Sequence, residues 1–364
     1  MPTSGYRTVR AEPLEGFARE IFVGLGADED VAAEVARHLV LANLSGHDSH
    51  GVIRIPQYAG EAERGELVPS ARPQVISEGP VTALIDSGYG FGHHAMSFAL
   101  DWCLRKAGEM GLAAAAVRHT NHIGRLGDYA ERAAARGFVA IVTVGVAGPE
   151  AGSVAPFHGG ERFLGTNPWA FGVPAEGRPP FLFDAATSTI AEGKNRLALS
   201  KGAQVAEGLL LDPSGRPTTD PQQLYEGGSL TGLGGVLGGH KGYGYGLAAA
   251  LVGGLSMIDD PAPTSGGTMR PPADWTARVG GPFILVIDPG RFGPRESYAK
   301  KVAEVVNAAY EVRPAEGQEG VKVPGDPEVE SREARRASGI AIPESTWKML
   351  EEIAGNLGVG VPPA

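Results

Sequence analysis

The chain is poor in cysteine and in positive charge, and it has no long apolar run. A single cysteine in 364 residues, Cys103, excludes an intramolecular disulfide and any CxxC metal or redox motif. Lysine and arginine number 32 against 42 aspartates and glutamates, a formal charge of −10. That balance argues against nucleic acid or anionic lipid as a partner, because both call for a basic surface. No uninterrupted apolar stretch approaches the roughly 18 residues of a membrane span. The segment Met1–Arg10 also lacks the positive-then-apolar order of a signal peptide. A cytoplasmic protein with a small-molecule partner is the expectation.

Glycine and proline, 54 and 28 residues, are abundant, and apolar residues at 42% are ample for a core. The length allows two domains. Leu14, Phe17, Ile21 and Phe22 recur at helical spacing, as do Val31, Val35 and Leu39, with Asp28 placed to cap the second helix and Gly46 to end it. From Val81 strands and helices alternate: strands at 81–85, 112–117 and 138–144, helices at 91–110 and 124–136. Further strands are expected at 169–173, 180–183 and 283–287, and helices at 298–312 and 343–357, the last with Pro343 in its first turn. The glycine-rich tract 227–246 carries too many charges and aromatics for a linker. This pattern predicts a mixed α/β fold: a helical domain built from both chain ends (1–75 and 297–364) and a mixed-sheet domain (76–296).

Several segments hold reactive side chains. Gly46–Pro56 packs His47, Asp48, Ser49, His50 and Arg54 together, with His50 and Arg54 four positions apart. A histidine there can move a proton and the arginine can grip a carboxylate. The same residues also read as a capping aspartate beside a solvated histidine and arginine. Arg118–Gly124 puts His119 and His122 where a strand ends and a helix begins, the place where ligands gather in α/β sheets, though a turn histidine bound to backbone explains it equally. Ser87–Gly92 mimics a dinucleotide-binding glycine loop, but its third glycine comes one position early for G-x-G-x-x-G. His47, Asp48 and His50, joined by His119 or His122, form a rival metal-ligand set for a hydrolase or lyase, without the i,i+4 histidine pair of a helical zinc motif. A non-catalytic acid- or sugar-binding protein is a further alternative.

Six motifs occur in order: G-H-D-S-H-G-V-x-R-x-P-x-Y at 46–58, N-H-x-G at 121–124, G-T-N-P at 165–168, D-x-A-T-S at 184–188, G-x-P-T-T-D-P at 215–221 and K-G-Y-G at 241–244. Together they resemble the malate/L-lactate dehydrogenase family of the non-Rossmann type, from about Leu14 to the last helix. The resemblance implies a homodimeric oxidoreductase with NAD or NADP as cofactor, bound by a sheet unlike the doubly wound one. It implies His122 and His50 as the proton-transferring pair, with Ser49 and Arg54 in the substrate pocket. It also implies cofactor contacts from Asp184, Thr187, Ser188, Thr189, Lys241 and Gly242, and from Pro324, Gly325 and Asp326, where aspartate replaces the usual glutamate. Arg125 adds a second carboxylate ligand. Ile123 in place of an aromatic, the unusual His158, and Leu209–Leu211 in place of a tryptophan are departures where substrate choice is decided. Arg118, Lys194 and Arg196 are the candidates for a 2′-phosphate contact. The reaction implied is hydride transfer between a nicotinamide and C2 of a small 2-hydroxy or 2-oxo acid, or of a cyclic imino acid in the same site.

Overall fold

A computed structural model describes residues 5–258 and 279–362; of the domain spans above, residues 1–4, 259–278 and 363–364 lie outside it. After strand β1 (Tyr6–Val9), helices α1 (Ala11–Gly24) and α2 (Glu29–Leu44) bury the two stripes their spacing announces. Gly46 follows with φ of +82°, a left-handed backbone that glycine adopts at no steric cost, and the helix stops there. Asp28 precedes α2 but does not cap it. Its carboxylate instead accepts from Arg72 at 2.9 and 2.7 Å. Helix α3 (Ile55–Glu63) then leads toward the sheet.

The central elements are β2 (Gln74–Glu78), β3 (Thr82–Asp86), α4 (Gly92–Met110), β4 (Leu112–Arg118), α5 (Leu126–Ala135), β5 (Val139–Ala147), β6 (Trp169–Val173) and β7 (Phe181–Ala185). Next come α6 (Glu192–Ser200), a small sheet of β8 (Leu210–Leu211), β9 (Pro217–Thr218) and β10 (Ser229–Leu230), helix α7 (Gly235–Gly253) and strand β11 (Val279–Ile287). Seven strands form one mixed sheet, ordered β2-β3-β4-β11-β5-β6-β7, in which only β3 and β4 run parallel. Helices α4 and α5 cover one face through Met96, Leu100, Tyr129 and the inward side chains Val117, Val142 and Ile284. Helix α7 covers the other. A Cβ on Gly145 of β5 would stand 2.5 Å from the Ala250 nitrogen, so the helix lies against bare backbone.

Helix α7 occupies much of the glycine-rich tract. Each glycine inside a helix costs roughly 1 kcal/mol relative to alanine, and here close packing offsets it. A Cβ on Gly242 would fall 2.1 Å from the Leu233 nitrogen, and one on Gly246 2.8 Å from Thr187 Oγ1.

The chain then returns. Helix α8 (Arg295–Tyr310) packs beside the β6–β7 end of the sheet, with Glu176 N donating to Ala299 O and the Arg178 guanidinium over the Tyr310 ring. Helix α9 (Asp326–Ser338), which the sequence reading did not foresee, crosses the end of α2: Ser331 Oγ donates to Leu44 O, and Arg332 pairs with Glu131. Strand β12 (Ile340–Pro343) pairs antiparallel with β1, and α10 (Glu344–Leu357) inserts Trp347 and Leu350 among Phe17, Ile21 and Leu39. Pro343 ends β12 just before this helix, one position earlier than its expected first-turn place.

The β3–α4–β4 crossover resembles a dinucleotide-binding unit, yet its glycine loop is filled. A Cβ on Gly92, at the start of α4, would lie 2.3 Å from Asn121 O and 2.5 Å from His122 O. The carbonyls of the 119–122 loop therefore occupy the ground where a pyrophosphate would sit, in keeping with the misplaced third glycine of Ser87–Gly92. A Gly92→Ala variant is expected to lose about 2 kcal/mol or more of stability and to displace the His122 loop. A urea midpoint equal to wild type would refute that packing argument.

Candidate active site

The two histidine motifs meet. His50 ends a 3-10 turn (Asp48–His50) after α2, and Arg54 ends the next (Val52–Arg54) and leads into α3. His122 sits in the loop between β4 and α5, with its ring stacked on that of His50, centroids 5.4 Å apart and planes 24° apart. Ser49 Oγ lies 3.0 Å from His50 Nδ1. Arg54 Nε donates to Ser49 O and Nη1 to Gln57 Oε1, both at 2.7 Å, and Gln57 Nε2 donates to Glu61 Oε1 at 2.8 Å. Among the described residues Nη2 of Arg54 has no partner, which leaves its hydrogens for another. Tyr58, also on α3, places its hydroxyl 2.6 Å from His122 Nδ1 and 3.5 Å from His93 Nε2. Tyr58, His93, Gln57 and Glu61 had no assigned role in the sequence reading, although Tyr58 stands in the first motif, one helical turn after Arg54.

The electrostatics favour neutral imidazoles beside a cation. Burial, with the Arg54 charge next in order, pulls His50 down to about 3 and His122 well below the ordinary histidine value. Burial and His38 do the same to His93, which is 0% exposed. Below about pH 6.5 an unfolded chain protonates such a residue while the folded one does not. Stability is therefore complete above that pH and falls as the pH drops, by up to about 1.4 kcal/mol per unit for His93. Glu61, raised by burial, works in the opposite sense. The expected result is that the drop in urea midpoint between pH 7.5 and 5.5 is smaller in His93→Gln than in wild type; equal drops would refute it.

Arg125 follows the N-H-x-G motif, and its backbone N–H donates to His38 Nε2 at 2.9 Å. The His38 ring in turn faces Asp128, which Arg37 grips twice. The Arg125 side chain is 1% exposed, and none of its guanidinium nitrogens has a hydrogen-bond partner among the described residues. Glu131 and Asp184 stand 3.8 and 3.9 Å away, but Glu131 is held by Arg332 and Asp184 accepts from Gly127 N at 2.7 Å. A buried guanidinium with unspent donors is costly unless an acceptor reaches it.

From Asp184 the chain runs back toward the histidines. The Thr187 hydroxyl donates to Thr166 O and Asn167 O, that of Ser188 to Ile190 O, and that of Thr189 to Thr231 O, so these three lock a loop and keep only their lone pairs for a ligand. The loop leads into α6, where a Cβ added at Gly193 would come within 3.6 Å of the Ser49 side chain. Lys241 is exposed on α7, and Gly242 beside it serves close packing. Pro324, Gly325 and Asp326 lie by Leu182 of β7, with Asp326 accepting from Tyr310 OH and from Val323 N, both at 2.7 Å. Ile123 is buried in the sheet core, and its carbonyl accepts from Tyr129. Leu210 is likewise buried. His158 stacks on Phe157 at the wall of a separate cavity of about 400 Å³. Arg118 is tied to Asp86, while Lys194 and Arg196 are exposed on α6.

The rival metal set does not converge. His47 turns to Glu328 at 3.0 Å, Asp48 to Arg335 and Asn43, and His50 to Ser49. No finding supports the hydrolase or lyase reading. Among the described residues, no helix is long and apolar enough to cross a membrane.

The chain is also similar to known proteins. Residues 9–351 match the family described as malate/L-lactate dehydrogenase. The chain is 35% identical over 360 residues to hydroxycarboxylate dehydrogenase B of Escherichia coli K12, covering 98% of this chain and 96% of that one. It is 32% identical over 355 residues to a Delta(1)-pyrroline-2-carboxylate/Delta(1)-piperideine-2-carboxylate reductase of Pseudomonas syringae pv. tomato, covering 96% and 97%. The solved malate dehydrogenase of Pyrococcus horikoshii OT3 superposes with a TM-score of 0.85 at 30% identity, covering 100% of this chain and 99% of that one.

Proposed function

Since the chain belongs to the malate/L-lactate dehydrogenase family, we propose that it is an NAD- or NADP-dependent oxidoreductase interconverting a small 2-hydroxy acid and its 2-oxo acid. The observation that carries this is the stacked His50–His122 pair beside an arginine whose Nη2 has no partner among the described residues. Arg54 holds the substrate carboxylate through Nη2, with Ser49 beside it, and fixes which face of C2 is presented. His122 holds the proton that the substrate oxygen gains on reduction and takes it back on oxidation, while His50 polarises that oxygen.

The residues fit a nicotinamide cofactor, since the orphaned donors of Arg125 beside Asp184 call for an acceptor such as a carboxamide or carboxylate oxygen. When bound, the nicotinamide supplies or accepts the hydride. Asp184, Thr187, Ser188 and Thr189 would hold its reactive end, and Lys241, Gly242, Pro324, Gly325 and Asp326 the remainder. Arg125 serves as the second anion ligand. A homodimer is part of the proposal. It is supported by an apolar stripe on α7 and the turn after it, where Leu237 is 92% exposed beside Tyr245, Leu251 and Leu255. Light scattering at twice the 37.7 kDa chain mass is the expected result.

The deciding experiment is a panel of 2-oxo acids and cyclic imines with NADH and with NADPH, followed by loss of the reduced cofactor. Consumption with at least one acid, undiminished in EDTA, is expected. Consumption only with imines would move the reading to an imino-acid reductase, and none at all, with no cofactor binding by calorimetry, would overturn it.

A further inference from the structure

Tyr58 is buried. Its ring packs against Phe22, Phe91 and His93 at centroid distances of 6.4, 6.2 and 5.6 Å, and the residue is 1% exposed. Its hydroxyl makes the hydrogen-bond contacts, to His122 Nδ1 at 2.6 Å and His93 Nε2 at 3.5 Å. We propose that Tyr58 is a positioning residue that fixes the tautomer of His122, donating its single hydrogen to Nδ1 so that the resting imidazole carries its own hydrogen on Nε2.

The argument rests on counting hydrogens. A phenol has one to give. The 2.6 Å contact is a full hydrogen bond, whereas the one at 3.5 Å is at the limit of such contacts. Burial pushes the pKa of the Tyr58 hydroxyl up, keeping it a phenol and therefore a donor. A ring nitrogen that accepts a hydrogen bond bears no hydrogen, so the hydrogen of neutral His122 goes to Nε2. That atom has no partner among the described residues, and the residue keeps a partly exposed edge. The free enzyme thus shows its substrate an N–H hydrogen-bond donor, which orients the oxygen or nitrogen of a 2-oxo acid or imine. To give that hydrogen up as a proton the ring must first take a second one from solvent, since a neutral imidazole would otherwise be left an anion. The alternative form, with Nε2 bare for a hydroxyl proton, requires the Tyr58 hydrogen to turn toward His93, the longer contact.

This inference rests on the functional reading above, and its test is separable from it. In protein with ¹⁵N-labelled histidine, long-range ¹H–¹⁵N correlation at pH 7.5 is expected to show His122, identified by its loss in His122→Ala, with a protonated Nε2 and a bare Nδ1. Tyr58→Phe keeps the ring and removes the hydrogen bond. The two nitrogens are then expected to average toward mixed character, and kcat for reduction to fall about tenfold with the cofactor KM within twofold. A wild-type spectrum with hydrogen on Nδ1 would overturn the proposal, and that measurement stands even where the variant fails to fold. So would a folded Tyr58→Phe with unchanged nitrogen shifts and rate. An Nε2–H signal together with an active His122→Ala would instead sink the catalytic reading and leave the tautomer assignment intact.

Discussion

His122→Ala is expected to lower turnover by about 10²–10⁴-fold, the range that a positioned general acid or base supplies, while the dissociation constant for reduced cofactor changes by less than about threefold. The separation follows from the geometry. His122 touches His50, Tyr58 and His93, all from the helical part of the chain or the start of α4, whereas the segment proposed to hold the cofactor is secured by its own hydroxyl bonds to the 166–167 and 231 backbones. Removing the imidazole leaves that loop unaltered. The pH profile adds a second expectation. Burial and Arg54 depress His122, so the free enzyme keeps a neutral imidazole well below pH 6.5, able to take a proton once the Tyr58 hydrogen turns toward His93, and the acid limb of kcat/KM for hydroxy-acid oxidation is expected to lie below that value. His50→Ala, which removes only the polarising neighbour, is expected to lose less. Turnover near wild type in His122→Ala would remove this residue from proton transfer.

How much of this was legible in the sequence depends on where the information lay. Local periodicity was strong in α1 and α2 and in β5 and β6, whose alternating burial follows their alternating side chains. It was silent for α7, because glycines at 242 and 246 lower helix propensity, and what they offer, close approach to Leu233 and Thr187, is visible only in three dimensions. Helix α9 escaped for a related reason. None of its residues is buried, so it carries no apolar stripe; ion pairs and hydrogen bonds to α2, the 45–48 turn and Glu131 hold it in place. The six motifs marked the residue types of the site but not their contacts. Asp28 shows the limit: it stands where a cap belongs, yet Arg72, distant in sequence, claims its carboxylate.

Arg54→Ala is expected to raise the KM for the acid substrate roughly 10–100-fold, as loss of a charge-assisted hydrogen bond worth about 1.5–3 kcal/mol requires, with a smaller fall in kcat. Two of the three guanidinium nitrogens are committed to Ser49 O and Gln57, so the group is aimed before substrate arrives. A pre-aimed donor chiefly strengthens ground-state and transition-state binding together, which appears in KM. Arg54→Lys keeps the charge without the fork and should fall between the two. The substitution also acts on the histidines. Arg54 is the strongest charge depressing both His50 and His122, so its removal raises their basicity, and the acid limb of the oxidation profile moves to higher pH. Carboxylate binding, which offsets the same charge, should push the histidines in the same direction in the wild-type complex. The acid limb of kcat, which reports the complex, is thus expected at higher pH than that of kcat/KM, and the gap should shrink in Arg54→Ala. An unchanged KM with an unmoved acid limb would place Arg54 outside the substrate pocket, and with it the carboxylate.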